Sequence, residues 1–288
     1  MNINWYPGHM VTAAKAIRED LKLIDIVVEV LDARIPKSSQ NYIIDEMAEG
    51  KEKIVVLNKY DIADKMEVSK WKKYFEEKGI AVVLTNAQSG DNISKLLDTI
   101  KIVGKKIYDI KYVNKSIAIK PIFRVLIVGI PNVGKSTIIN KISKKTSANV
   151  GNKPGVTVRK QWIRVGDNVE LLDTPGLLWP RLEDGNAGLK LALTGNIKQE
   201  ILDIEELAFE GVKLLVKSER YKILLKEKYK LSDEDLTKEA HEIVETIGRK
   251  RGCLVSGGEV DIDKASKIFL DEFKNGKIGN ISLDSVAE

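Results

Sequence analysis

Cysteine is almost missing from this chain. Cys253 is the only one, so no disulfide can form within it, which fits a reducing, cytoplasmic setting. Cys253 itself reads as a small buried residue. Aromatic residues are also scarce, at 6%, while aliphatics are plentiful, the balance expected of an α/β protein. No apolar run approaches the length of a membrane span, so no membrane partner is expected. Met1 to His9 carry no basic stretch before an apolar one, and a secretory leader is not expected. Neither charge sign dominates: the net charge of +5 is mildly basic and compatible with a polyanionic partner. There are no internal repeats and no low-complexity segment. What is present is enough chain, 288 residues, for one large or two modest domains with real cores.

The first part of the chain alternates apolar runs with helical periodicity. Asn4-Trp5-Tyr6-Pro7-Gly8-His9-Met10 reads as a turn. A helix should follow with Met10, Ala14, Ile17 and Leu21 on one face. Ile24 to Asp32, Lys53 to Leu57, Ala81 to Leu84 and the run from Phe123 read as buried strands. Between them fall predicted helices over Asn41 to Glu49, Ser69 to Lys78 (Trp71, Tyr74 and Phe75 inward) and Ile93 to Val103. Lys105 to Lys120 reads as a lysine-rich linker with some extended structure. A helix over Thr137 to Ser143, a loop around Asn149 to Thr157, and a hairpin of Trp162 to Val165 with Val169 to Leu172 follow. Strands alternating with helices imply a mostly parallel sheet with helices on both faces. Ligands bind such sheets at the carboxyl ends of the strands.

From about Arg181 the β-branched runs stop. Helices are expected over Ile204 to Val216, Lys222 to Tyr229, Thr237 to Arg249, and from a cap at Asp261-Ile262-Asp263 to Lys274. The boundary divides a domain of residues 1–180, with residues 1–23 as an N-terminal extension, from an all-helical domain of residues 181–288.

Four loops carry chemistry. Gly129-Ile130-Pro131-Asn132-Val133-Gly134-Lys135-Ser136 reads G-x-x-x-x-G-K-S after a buried strand and before a helix, the context a phosphate loop needs. Its glycines let the backbone N–H groups from Asn132 to Thr137 turn around a phosphate chain. The helix start adds its positive end. Lys135 would reach the β- and γ-phosphates, and Ser136 would hold Mg²⁺. Asn58-Lys59-Tyr60-Asp61 reads N-K-x-D. The Asp61 carboxylate can accept from the N1–H and exocyclic amine of guanine, but it would be left unpaired against adenine. Asn58 would tie this loop to the phosphate loop, and the Lys59 stem would pack over the base. Backbone N–H groups at Asn86-Ala87 could contact the guanine O6; a plain loop before a helix reads equally well. Asp173-Thr174-Pro175-Gly176 reads D-x-x-G. Asp173 would hold a water of the Mg²⁺ shell, and the Gly176 N–H would touch the γ-phosphate. Thr157 is the candidate second hydroxyl on Mg²⁺.

Together these motifs resemble a Ras-like, translation-factor-class GTPase with its parts in a different order. N-K-x-D and the Ala loop precede the phosphate loop instead of following it. That order is a circular permutation, which compact domains with neighbouring surface termini tolerate. Trp5 to Met10 (W-Y-P-G-H-M), Glu29 to Pro36 (E-V-L-D-A-R-I-P), Gly129 to Ser136, Pro154 to Thr157 (P-G-V-T) and Asp173 to Leu177 (D-T-P-G-L) are similar to the ribosome biogenesis GTPase A family. The resemblance covers essentially the whole chain, least specifically in the helical part. It implies a circularly permuted P-loop GTPase fold and a bacterial cytoplasmic GTPase. It further implies binding to precursors of the large ribosomal subunit and their rRNA, assistance with late maturation, and no DNA partner. A monomer off the ribosome is expected.

The residue after D-x-x-G is Leu177, not the glutamine that orients water in many GTPases. Slow turnover alone, raised by the ribosomal particle, is therefore expected. His9 is a candidate to swing toward the γ-phosphate; a structural role or an RNA contact reads equally. Asn132 is a candidate K⁺ ligand, since related GTPases use an asparagine there, with a polar turn residue as the alternative. Lys213, Lys217, Arg220, Lys222, Lys226, Lys228 and Lys230, followed by Arg249-Lys250-Arg251, suggest an RNA-contacting surface. An ATP-dependent enzyme with the same phosphate loop is disfavoured by Asp61. An rRNA-binding module with a regulatory, barely active nucleotide site stays open because of Leu177.

Overall fold

A computed structural model describes residues 19–112, 121–146, 161–173, 185–197 and 203–286. These fall into two compact units: residues 19–61, 65–112, 121–146, 161–173 and 284–286 form an α/β unit, and Ile62–Asp64 with residues 185–197 and 203–283 form a helical one.

The α/β unit is organised by β1 (Ile26–Asp32), whose seven residues are all buried. β-Branched side chains on both faces suit a strand covered on both sides. β2 (Glu52–Asn58) and β4 (Phe123–Val128) flank it in parallel. β3 (Ala81–Thr85) extends the sheet beyond β2, and β6 (Val169–Asp173) extends it beyond β4. β5 (Gln161–Val165) closes the far edge as the one antiparallel partner. The order is therefore β3-β2-β1-β4-β6-β5. The chain runs outward through β1, β2 and β3, then restarts at β4 on the other side of β1. That reversal opens a crevice at the carboxyl ends of β1 and β4, where α/β sheets bind ligands. The β5–β6 hairpin was expected, and it is found.

Helices α1 (Pro36–Ser39), α2 (Tyr42–Met47), α3 (Lys65–Glu77), α4 (Ile93–Tyr112) and α5 (Lys135–Thr146) lie between the strands. Asn41 caps α2, its side chain accepting from the Ile44 N–H at 2.8 Å. On α3 Trp71 and Phe75 are buried as expected, joined by Val68, while Tyr74 is only half-buried. One expectation fails on α4. The segment from Lys105 is not a linker: the helix continues to Tyr112. Gly104 is a packing residue, since a Cβ there would lie 2.5 Å from Cγ of Phe123. The short α1, separated from the end of β1 by three residues, was not anticipated either.

The helical unit contains α6 (Gly185–Leu193), α7 (Ile204–Val216), α8 (Glu219–Tyr229), α9 (Ala240–Lys250) and α10 (Ile262–Lys274). Its core is apolar: Leu193, Leu207, Val212, Leu215, Ile243, Ile247 and Phe269 are buried together. Gly211 allows α7 to approach closely, since a Cβ there would lie 2.8 Å from Leu193 and 3.0 Å from Phe269. Caps fix the helix starts. Asp203 accepts from the N–H groups of Glu205 and Glu206 at 3.0 Å, and Asp261 from that of Lys264 at 2.9 Å. Glu239 and Glu242 form a reciprocal box that starts α9 at Ala240, three residues later than the periodicity predicts. α6 carries no motif and was not foreseen. No described helix is long and apolar enough to cross a membrane.

Candidate nucleotide site

The phosphate loop joins β4 to α5, and its shape follows from its residue types. Gly129 (φ 150) and Gly134 (φ 111) take positive φ, which glycine adopts without a Cβ penalty. Neither position has room for a side chain. A Cβ at Gly129 would lie 2.5 Å from the Val30 carbonyl oxygen, and one at Gly134 would lie 2.2 Å from Nδ2 of Asn58. Asn132 (φ 56) also sits in the left-handed region, which asparagine tolerates better than most residues. Its side chain is exposed, and Val133 is buried behind it. Lys135 is buried, and its ammonium folds back to donate to the carbonyls of Gly129 at 2.8 Å and Ile130 at 2.6 Å. Ser136 and Thr137 follow in the first turn of α5, both exposed.

Asn58, the last residue of β2, is buried and makes three links. Its Nδ2 donates to the Val133 carbonyl at 2.7 Å. Its Oδ1 accepts from the Ala87 N–H at 3.0 Å and the Thr85 hydroxyl at 3.1 Å. One amide thus joins the phosphate loop, the N-K-x-D loop and the Ala loop. An amide supplies a donor and an acceptor on separate atoms of one short side chain, so it can face different loops at once. Past it, Lys59 takes φ 61 and the chain enters a 3₁₀ turn, Tyr60–Ile62, with Asp61 exposed. The Tyr60 hydroxyl donates to the Asp91 carboxylate, a bond that raises the phenol's pKa. In the Ala loop the Asn86 side chain accepts from the N–H groups of Gln88 (2.9 Å) and Ser89 (3.1 Å), which shapes the turn, while Ala87 is buried.

Asp173 ends β6 in register with Ile127 of β4, on the strand next to the phosphate loop. His9, Thr157, Gly176 and Leu177 lie outside the described residues. The loops that are described form a cradle suited to a nucleotide and a hard cation: glycines that admit no Cβ, a lysine at the loop, and an exposed serine hydroxyl at the helix start.

One cluster was missed. Asp32, at the end of β1, is fully buried. It accepts from Arg34 through the backbone N–H (3.1 Å), Nε (2.9 Å) and the guanidinium (2.7 Å), and from the Lys59 ammonium at 2.9 Å. Burial pushes the Asp32 carboxyl up, but the charges of Arg34 and Lys59 more than reverse this and hold it far below the usual carboxylate range. The signal in the sequence is an acid closing a mostly apolar strand, two residues before an arginine. Glu29, also buried in β1, accepts from the Asn41 N–H at 2.7 Å and pairs with Lys53 at 2.6 Å. Burial raises the Glu29 pKa despite that partner.

The basic run of the helical unit is largely paired. The fold brings acids to it: Lys213 pairs with Glu210, Lys222 with Glu219, Lys226 with Asp233, Arg249 with Glu245, and Lys228 and Arg251 share Glu272. Several of these acids stand three or four residues away on the same helix, and others come from loops and helices remote in sequence.

Comparison with known proteins agrees with this geometry. A family model described as 50S ribosome-binding GTPase matches residues 124–250. The Ribosome biogenesis GTPase A of Bacillus cereus is 46% identical over 288 residues, covering 100% of this chain and 95% of that protein. Among solved structures, a GDP-bound YlqF superposes with a TM-score of 0.70 at 30% identity, covering 95% of this chain and 100% of that one. A GNP-bound YlqF from T. maritima gives 0.62 at 31% identity, covering 95% and 98%. With a permuted motif order, a phosphate loop tied through Asn58 to the base-reading loops, and relatives of this identity along its full length, the chain belongs to the ribosome biogenesis GTPase A family.

Proposed function

We propose that this protein is a cytoplasmic GTP-hydrolysing switch that binds precursors of the large ribosomal subunit, contacts their rRNA and assists their late maturation. It turns over slowly alone and faster on the particle. The observation that carries the nucleotide reading is Asn58, whose amide links the phosphate, N-K-x-D and Ala loops. A turn that merely ended a strand would have no need of that three-way link. The ribosomal part rests on the family and on the wording of its model, 50S ribosome-binding GTPase.

In this reading the backbone N–H groups from Asn132 to Thr137 cradle the phosphates, and Lys135 leaves its loop carbonyls to reach the β- and γ-oxygens. Asp61 selects guanine, Lys59 and Tyr60 flank the base, and Asn86-Ala87 offers backbone donors to O6. Ser136, Asp173 and Thr157 would hold Mg²⁺, and the Gly176 N–H would meet the γ-phosphate. Bound there, Mg²⁺ neutralises charge developing on the phosphate oxygens. Asn132 would help hold K⁺. Leu177 cannot orient water, so His9 is assigned that task on the particle. A monomer off the ribosome suffices for all of this.

The deciding experiment is GTP turnover with and without purified large-subunit precursors. A slow basal rate raised at least about tenfold by the particle is expected. Binding to the particle without any turnover would sink the hydrolytic switch and favour an rRNA-binding module with a regulatory nucleotide site. Equal binding of GTP and ATP would remove the guanine assignment. Full particle-stimulated turnover in His9→Ala would remove His9, and equal rates in NaCl and KCl at matched ionic strength would remove K⁺.

A further inference from the structure

We propose that Asp32 is a positioning residue for guanine-nucleotide binding, acting through Lys59. The inference rests on the guanine-nucleotide reading above. It concerns a residue outside the phosphate, N-K-x-D, Ala and D-x-x-G loops.

Asp32 stands beside the N-K-x-D loop in the sheet. It is in register with Asn58, and the N–H of the next residue, Ala33, donates to the Asn58 carbonyl at 2.8 Å. From there its carboxylate takes the Lys59 ammonium at 2.9 Å. The carboxylate is fully buried, while the Lys59 side chain keeps 26% of its surface exposed. The lysine is thus fixed at its charged end and open along its stem. A lysine stem has four rotatable bonds, and ordering it costs entropy at the moment of binding. With the ammonium already held, the methylenes are pre-placed to lie over a purine ring. The backbone at Lys59 needs the same support: its φ of 61 is one that side-chain-bearing residues rarely adopt.

Arg34 makes the arrangement possible. A buried carboxylate facing only a partly exposed lysine would be poorly compensated. The Arg34 guanidinium, itself buried, donates to both carboxylate oxygens and keeps Asp32 ionised. Ser39 adds the frame: its hydroxyl accepts from the Asp32 N–H at 3.1 Å and donates to the Ile35 carbonyl at 2.7 Å. The turn after β1 is thereby closed around the carboxylate.

The test uses the full-length protein and two probes, GDP and inosine diphosphate, which lacks the exocyclic amine that Asp61 reads. Asp32→Asn combined with Arg34→Met removes the carboxylate without stranding a buried cation. This double variant should bind both probes more weakly by the same factor, about tenfold. The preference for GDP over inosine diphosphate, which Asp61 sets, should stay as in the wild type. Lys59→Met should weaken GDP comparably, and adding the double change to Lys59→Met should cost little more. A structural role alone would predict the opposite, with the same penalty whether Lys59 is present or not. Wild-type affinity in the double variant, or additive losses in the combined one, would overturn the proposal. If the double variant does not fold by circular dichroism, Asp32→Glu carries the same cycle. That variant keeps the charge and moves the carboxylate out by one methylene. Failure of the wild type to bind GDP would overturn the guanine reading itself, and so is distinguishable from failure of this inference.

Discussion

The two units of this protein bury different things. In the α/β unit, Glu29, Asp32, Arg34, Asn41, Asn58, Thr85 and Lys135 are all buried. Most of them satisfy one another across neighbouring strands and loops. In the helical unit the core is mainly leucine, isoleucine, valine and phenylalanine; Thr194, Asn196, Ser266, Ser282 and the charged Asp64 are buried too, while most charges stay outside in pairs along and between helices. A buried polar group costs free energy unless partnered, so its presence demands a reason. In the α/β unit most of those groups gather where β1, β2, β3 and β4 end, and they shape loops. Among the described residues the helical unit buries fewer such groups, only Asp64 of them charged, and most of its charges lie at its surface.

Four substitutions would break or sharpen that contrast. The largest effect is expected from Phe269→Ala, which empties the centre of the helical core. It should cost about 3–5 kcal/mol in urea unfolding yet leave GDP affinity within about threefold. A large loss of GDP affinity would show that the units are not separable in this sense. Next is Lys135→Ala. Single-turnover GTP hydrolysis should fall by about 10²–10³, with circular dichroism unchanged. Asn58→Ala removes one amide and leaves the Val133 carbonyl, the Ala87 N–H and the Thr85 hydroxyl without it. It should lower stability by about 2–3 kcal/mol and weaken GDP as well, so both readouts move together. A change in only one of them would separate loop architecture from binding. The smallest is Asp261→Ala at the start of α10, worth about 1 kcal/mol by thermal melting and nothing in nucleotide affinity.

Much of the fold was legible because its signals are local. The buried strands announced themselves as β-branched runs, and Asp261 as a cap. The reading failed where a residue's reason is distant. Gly104 looks like a helix end, but it exists to let Phe123 pack against α4. The acid partners of the helical unit's basic residues are also distant: Glu272 reaches Lys228 and Arg251 only after folding. α6 bears no periodic motif strong enough to identify beforehand.

The motifs themselves were visible in the sequence: G-x-x-x-x-G-K-S, N-K-x-D and D-x-x-G in permuted order. That order alone indicated which loops must converge, because parallel strands present their carboxyl ends together. Sequence also determined the glycines, since only they reach the required φ without a Cβ penalty. What tertiary structure alone decided is how the loops are joined. The Asn58 amide spans 75 residues to Val133, and the Asp32 carboxylate reaches 27 residues to Lys59. Such links depend on strand register, and register is a property of the assembled sheet, so no window of sequence contains it.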